Sequence, residues 1–514
     1  MHLGRTRSVG LVGIRGMLVD VEVDITPGLP KIVFSGTVDP AVREAGERVR
    51  SATAYSGVPF PPRRVTINLS PASVPKSGSG FDLAIAVAVL AAARAVPAAL
   101  VDGVVHLGEL ALDGTVRGIR GVLPLVLGAR AAGFPTVVVP WANVPEARLV
   151  SGIEVVGVRD LGGLITRYHD LDQGRCPVEL ADPPAAEATQ SFVPPDLAEV
   201  VGQDDARHAL AMAAAGGHHL ALVGPPGAGK TMLAERLPGL LPRLTEEQAL
   251  EVATVASVLG VLPAGGRVLS HQAPFVAPHH GASMAAMVGG GSGTARPGAV
   301  SLSHHGVLFL DEAPEFAAAV LQALRQPMEA GEVTVARANG AFRFPARFQL
   351  VIAANPCPCG HGSGKGLRCT CRPHERRRYL TRLGGPLVDR LDIQVYVDRP
   401  TRAQLAGPPG EPTEVVAARV REARAIQGER LAPWGWSLNR DVPGSVLRTG
   451  PLALPRARTT VLDQALDRGR LSLRGYDRCL RMAWTLRDLD GGGTPTADDI
   501  ASALTLRCST EEAA

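Results

Sequence analysis

The run GPPGAGKT, Gly224 to Thr231, fits the pattern G-x-x-x-x-G-K-[ST] and stands between an apolar segment, HLALV, and the helix-compatible MLAERL. The residue types suit one task. In the loop Gly224, Pro225, Pro226, Gly227, Ala228 and Gly229, the glycines free backbone N–H groups to surround phosphate oxygens, while the two prolines, which have no N–H, complete the loop. Lys230 can reach the outer phosphates, and the Thr231 hydroxyl can hold Mg²⁺. Between a strand and a helix, this spacing predicts a nucleoside triphosphate site. Farther along, VLFLDE ends four apolar residues in Asp311 and Glu312, as a buried strand presenting carboxylates at its C-terminal edge does. Asp311 is the expected Mg²⁺ ligand, and Glu312 the group that polarises an attacking water. Alone, the pair could be an acidic cap; beside a phosphate loop, hydrolysis explains it better.

A third constellation is NPCPCGHGSGKGLRCTC, which holds Cys357, Cys359, Cys369 and Cys371 of the chain's 7 cysteines. Four thiolates can close a tetrahedral structural Zn²⁺ site. The C-x-C pairs are tighter than the commoner spacing, and His361 or His374 could replace one ligand. An unmetallated or redox-active loop is the alternative. Cys176, Cys479 and Cys508 stand alone, and an odd total leaves at least one cysteine without an intrachain partner. That pattern fits a reducing compartment better than a secreted disulfide framework, so a cytoplasmic protein is expected.

These residues need elements to position them. The chain has 514 residues, long enough for about three domains, and its 46% hydrophobic content can fill their cores. A net charge of +4 neither requires nor excludes an anionic partner. The N-terminal apolar positions alternate, predicting a strand pair rather than a leader peptide. The most apolar stretch, LAIAVAVLAAARAV, stops at Pro97 and predicts a buried helix; no membrane span is expected. Residues 1–172 alternate strand-like and helix-like runs, a mixed α/β domain. The segment 173–195 is rich in proline, alanine and acid and reads as a linker. Residues 196–405 carry short apolar strands between helices, the pattern of a parallel sheet, with a cysteine insert at 355–375. AGPPGEP, 406–412, is a second linker, and 413–514 is helical, with the terminal STEEAA expected to fray.

Taken together, GPPGAGKTMLAERLPGLLP, APHHGAS, GGGS, RPGAVSLSHHGVLFLDEAPEF, LRQPME, NPCPCG, GPLVDRLD and the N-terminal IVFSGTVDPAVREAGERVRSA and GELALDGTVRGIRGVLP resemble the magnesium chelatase-like AAA+ ATPases of the YifB/ComM type. The resemblance spans most of the chain. It implies an N-terminal domain like that of Lon protease, related to ribosomal protein S5 domain 2, a central AAA+ ATPase core and a C-terminal helical lid. It implies ATP and Mg²⁺ as cofactors, a hexameric ring, and action on DNA in branch migration, recombination or uptake of transforming DNA. A metal chelatase subunit and a protein-remodelling or protease-associated ATPase are the alternatives.

By the same resemblance Asn355 is sensor 1, Arg390 is the arginine finger inserted by a neighbouring subunit, and Arg474 is sensor 2. Apart from it, Asn355 could simply end a strand and Arg390 could pair with Asp389 or Asp392. Ala483, Trp484 and Thr485 stand where the family reads ART, so a second lid arginine is absent. The position of the Lon nucleophile falls on Gly80, with Ser77 and Ser79 close by. The lysine position holds an apolar residue near Leu123, which implies a non-proteolytic scaffold.

EVTVARANGAFRFP is a hairpin signal centred on Asn339-Gly340, and the resemblance places that hairpin in the ring channel. Arg337 and Arg343 are therefore candidate DNA contacts. Arg368, Arg372, Arg376, Arg377 and Arg378 form a basic cluster that could equally be a solvated helix. In a strand or helix His279 and His280 would point to different faces, and no carboxylate stands at ligand spacing, so the resemblance places them in the loop inserted in the second AAA+ helix, facing the pore; His304 and His305 are expected to pack.

Overall fold

A computed structural model describes residues 2–35, 39–74, 76, 78–181, 183, 192–262, 269–291, 295–337, 340–362 and 369–508. Ser77, Asn339, Arg368 and the terminal STEEAA lie outside the described residues.

The N-terminal strand pair forms as the alternation requires. His2–Val12 and Arg15–Thr26 run antiparallel from His2↔Ile25 to Val12↔Arg15, joined at a turn where Gly13 takes φ 66°. Val19, Val21, Val23 and Ile25 all face one core. The hairpin belongs to a seven-stranded sheet in the order Lys31–Ser35, Arg64–Ser70, Arg15–Thr26, His2–Val12, Val104–His106, Thr136–Pro140, Glu154–Val158. The alanine-rich stretch becomes the helix Asp82–Ala92, every residue of which is buried. It lies so close to the sheet that a Cβ on Gly4 would sit 2.1 Å from the Ala88 carbonyl oxygen. Asp82, buried at its start, is held by two hydrogen bonds from Arg48 (2.7 and 3.0 Å).

A second sheet is entirely parallel, in the order Phe275–Val276, Val307–Leu310, Gln349–Ala354, Leu220–Val223, Ile393–Tyr396. Its inner strands are continuous apolar runs because both faces are covered. On one face pack the helices Asp204–Gly216, Lys230–Leu240, Thr413–Leu431 and Leu473–Leu489. The other face is covered by Met287, Val300, Phe316, Val320, Leu321 and Leu324 and by the hairpin Glu332–Arg337/Gly340–Pro345.

Beyond the sheet, the helices Thr413–Leu431, Arg456–Asp467, Leu473–Leu489 and Ala497–Cys508 appear where their periodicity put them. Their apolar residues join the core of the parallel sheet in one continuous cluster. The described residues of 173–195 and the segment 406–412 contain no strand or α-helix. The hairpin closes at Arg337↔Gly340, so Gly340 is its last paired residue. In this register Val333, Val335, Phe342 and Phe344 share one core, and the expected turn residue Asn339 lies outside the described residues. No helix among the described residues is long and apolar enough to cross a membrane.

Candidate nucleotide-binding site

The loop Gly224–Gly229 leaves the strand Leu220–Val223 and enters the helix Lys230–Leu240. Gly227 and Gly229 take φ of 74° and 89°, conformations that glycine adopts without strain. Gly224 has a different reason to be small: a Cβ there would lie 2.1 Å from the Val397 carbonyl oxygen of the adjoining strand. The parallel register sets the strands ending in Val223, Leu310 and Ala354 side by side, so the residues that follow meet at one edge. There, 226–232, Asp311, Glu312 and 353–355 line a cavity of about 480 Å³.

Within it Lys230 Nζ donates to the carbonyls of Gly224 (2.7 Å) and Pro225 (3.0 Å) and to Asn355 Oδ1 (3.1 Å). Burial lowers the pKa of this ammonium, and the charges of Asp311 and Glu312 oppose the shift. Thr231 Oγ1 donates to Asp311 Oδ2 at 2.7 Å. A hydroxyl and a carboxylate in contact, opening into a cavity that also holds a lysine, are hard oxygen donors of the kind Mg²⁺ takes. Glu312 sits at φ 49°, rare for a side chain this long, and carries its carboxylate into the cavity's lining.

Two residues that motif reading does not single out brace the loop. Gln203, itself at φ 54°, donates to the Ala228 carbonyl (2.7 Å) and the Asp398 carbonyl (3.1 Å). Arg399 donates twice to the Pro226 carbonyl (2.6 and 3.1 Å). No local motif in the sequence marks either residue.

The histidine expectations need correction. His279 and His280 lie outside any helix or strand, with ring centroids 4.1 Å apart. A carboxylate does accompany them: His280 Nδ1 stands 3.5 Å from Glu312 Oε2. His304 and His305 are not merely packed. Their Nε2 atoms approach Glu251 Oε2 at 3.1 and 2.6 Å, across 53 residues of sequence in the first case. The three ligand atoms are close enough to suggest a metal site. However, His304 Nδ1 accepts the Arg347 N–H (3.0 Å), which puts the ring proton on Nε2, facing Glu251. Coordination through Nε2 would move that proton against the Arg347 N–H. Burial also pulls the His304 pKa down to about 4, so the ring stays neutral. The cluster is a hydrogen-bonded strut.

The four loop cysteines do converge. Sγ–Sγ distances are 3.3 Å for Cys357–Cys359, 3.7 Å for Cys357–Cys369 and 3.6 Å for Cys359–Cys369, with Cys371 in the same group. Tetrahedral thiolates about 2.3 Å from zinc stand about 3.8 Å from one another, so the donor set fits that ion with small adjustment. Burial pushes the Cys357 thiol up to about 12, whereas the His361 backbone N–H brings Cys359 down to about 5.

Other expected residues lie apart from this cavity. Arg390 is 5% exposed; it donates to the Pro386 carbonyl (2.7 Å) and pairs with Glu329 at 2.5 Å, not with either neighbouring aspartate. Asp389 and Asp392 are taken by Arg507 and Arg478. Arg474 is 64% exposed, with Asp389 4.0 Å away. Arg343 faces solvent beside Glu332 (3.7 Å), whereas Arg337 has the parity of the core-facing Val333 and Val335, so the two arginines leave opposite faces of the hairpin. Arg337 instead reaches across Gly290, where a Cβ would meet its Nη2 at 2.9 Å. The Gly80 carbonyl accepts the Gly108 N–H (3.1 Å), Ser79 bonds Glu109, and Leu123 is fully buried. A larger cavity, about 740 Å³, runs beside the edge strand Glu154–Val158 and includes none of the residues singled out by motif.

Three family models match the chain: "Subunit ChlI of Mg-chelatase" at residues 21–143, "Magnesium chelatase, subunit ChlI" at 196–405 and "Magnesium chelatase, subunit ChlI C-terminal" at 410–507. The chain is 48% identical over 507 residues to an uncharacterised protein of Mycobacterium tuberculosis, covering 99% of both. It is 39% identical over 513 residues to the competence protein ComM of Haemophilus influenzae (99% of this chain, 98% of ComM). To YifB of Escherichia coli it is 38% identical over 512 residues (99% and 97%). A shorter likeness, 29% over 143 residues and 26% of this chain, links it to Lon protease 2 of Thermus thermophilus, of which it covers 17%.

Proposed function

From the chain's membership of the magnesium chelatase-like family that contains YifB and ComM, we propose that it is a Mg²⁺-dependent AAA+ ATPase, assembled as a homohexameric ring, that moves on DNA in the cytoplasm. One observation carries the reading: Lys230, Thr231, Asp311, Glu312 and Asn355, distant in sequence, line a single cavity. The name of the competence protein ComM favours DNA as the substrate.

The proposed layout is a Lon-like, non-proteolytic domain at 1–172, a linker at 173–195, the ATPase core at 196–405, a linker at 406–412 and a helical lid at 413–514. The spans of the three family models support it. The loop from Gly224 to Gly229 cradles the phosphates of ATP, and Lys230, already desolvated, exchanges its carbonyl partners for phosphate oxygens. Mg²⁺, held by Thr231 and Asp311, supplies charge neutralisation at the phosphates. Glu312 takes the proton from the attacking water, and to do so it must turn away from His280. Asn355 orients that water while bonding Lys230, which ties water position to phosphate position. Arg390 acts on the ATP of the next subunit and Arg474 from the lid. Arg343 and Arg337 contact DNA from the two faces of the hairpin. Cys357, Cys359, Cys369 and Cys371 hold a structural Zn²⁺ that stiffens the segment between Asn355 and Arg390.

The test is ATP hydrolysis with and without branched or single-stranded DNA, with Lys230→Ala as the blank. DNA should raise the wild-type rate and salt should suppress the increase. Hydrolysis indifferent to every DNA at low salt would remove DNA from the proposal and favour the chelatase or protein-remodelling class.

A further inference from the structure

Arg325 follows Leu324, the last apolar residue of the helical segment behind the Asp311 strand. It is half-buried, its Nε is shielded from solvent without a partner, and among the described residues its guanidinium has no hydrogen bond or ion pair. It lines an open groove of about 620 Å³. Arg390 lines the same groove, and its Nε is likewise shielded and unpartnered. Glu329 is the one carboxylate among the lining residues, so the groove carries two guanidiniums against one negative charge. A guanidinium with a nitrogen shielded from water and left unpartnered is unfavourable, and the groove holds one more cation than its own carboxylate can neutralise. Planar guanidinium groups suit phosphate oxygens, which they bind through paired N–H donors. Neither arginine lines this chain's own nucleotide cavity, so the phosphate must come from another molecule.

We propose that Arg325 and Arg390 together form an anion site that receives the γ-phosphate of ATP held by a second copy of this chain, with Arg325 a further catalytic residue acting between subunits. This rests on the ring-forming ATPase reading above. Glu329 is the placeholder: it neutralises Arg390 in the separate chain and yields when phosphate arrives, whereas Arg325 has no carboxylate to release and is available from the outset.

Mixed rings of full-length protein test it. Arg325→Ala subunits keep their phosphate loop but lack the donated cation; Lys230→Ala subunits lack ATP but still donate Arg325. Each alone should lose at least about tenfold in ATP hydrolysis. Combined one to one before assembly, a random head-to-tail ring has about a quarter of its interfaces complete, so activity should return to roughly that share of wild type. Arg390→Ala mixed with Lys230→Ala is the control for the ring itself. Recovery in both mixtures supports the proposal. Recovery only with Arg390→Ala overturns the role of Arg325 and leaves the ring intact; recovery in neither overturns the ring reading, and the proposal with it. Wild-type activity in Arg325→Ala alone also overturns it. If Arg325→Ala does not fold, Arg325→Gln in the same mixture carries the same expectations.

Discussion

Asparagine in place of Asp392 would leave a cation stranded where the helical region meets the parallel sheet. Asp392 is 2% exposed and precedes the edge strand Ile393–Tyr396. It accepts the His219 N–H (2.9 Å) and hydrogen-bonds the Arg478 guanidinium from the helix Leu473–Leu489, with His218 Nδ1 3.8 Å away. Burial alone would raise its pKa, but Arg478 and His218 outweigh that and hold the carboxyl well below the usual carboxylate range. A depressed carboxylate contributes stability that is fully present above the ordinary carboxylate pKa and disappears only as pH falls through the folded value. From pH 5 to 8 the pair is therefore intact.

Removing one partner of a buried ion pair costs about 3–5 kcal/mol, and Arg478, with 16% of its side chain exposed, points to the lower end, about 3 kcal/mol. Urea denaturation at pH 7.5 measures it, and hydrogen exchange should show residues 473–489 opening first. Arg478→Met in the same chain should recover most of the loss, giving a coupling energy above about 2 kcal/mol in the double-mutant cycle. A loss below about 1 kcal/mol, or additive single effects, would refute the claim that this pair fastens helices to sheet.

Burial holds the imidazoles of His106 and His219 down to about 3 and that of His304 to about 4, against an ordinary 6.5. The unfolded chain takes up protons below pH 6.5 while the folded chain does not, so stability is full above that pH and declines below it, by about 2 kcal/mol per ring at pH 5. A urea midpoint unchanged between pH 7.5 and 5 would contradict this. Protein purified without an affinity metal column should contain close to one zinc per chain and Cys369→Ser much less; no zinc, with four freely reactive thiols, speaks against the site. Gly224→Ala should abolish ATP binding because its Cβ meets the Val397 carbonyl, whereas Gly385→Ala, with nothing within 4 Å, should bind ATP normally.

The residues legible in the sequence were those whose chemistry is local. A phosphate loop is eight adjacent residues between a strand and a helix, and Asp311-Glu312 closes one apolar strand, so neither needs knowledge of remote partners. The two C-x-C pairs, whose thiols converge, were legible for the same reason, whereas Asn355 was picked out only through the family resemblance. What escaped was made by the fold: Glu251 meets His304 and His305 from a separate helix, His280 reaches Glu312 from a turn, and Gln203 and Arg399 grip the loop from both flanks. Alternation does not apply to His279 and His280, which lie outside any helix or strand, and the packing expected of His304 and His305 did not show their carboxylate partner. The helical region looked separable because its sequence periodicity is self-contained. Its apolar faces nevertheless share one core with the sheet, as Val420, Leu480 and Val351 do.

The most direct measurement is steady-state ATP hydrolysis in Mg²⁺ by the wild type, Lys230→Ala and Glu312→Gln, with ATP binding measured alongside. Hydrolysis by the wild type should be lost in both variants, with binding lost in Lys230→Ala and retained in Glu312→Gln. A wild type that neither binds nor hydrolyses ATP, or a Glu312→Gln variant that turns over like wild type, would contradict the assignment of this cavity.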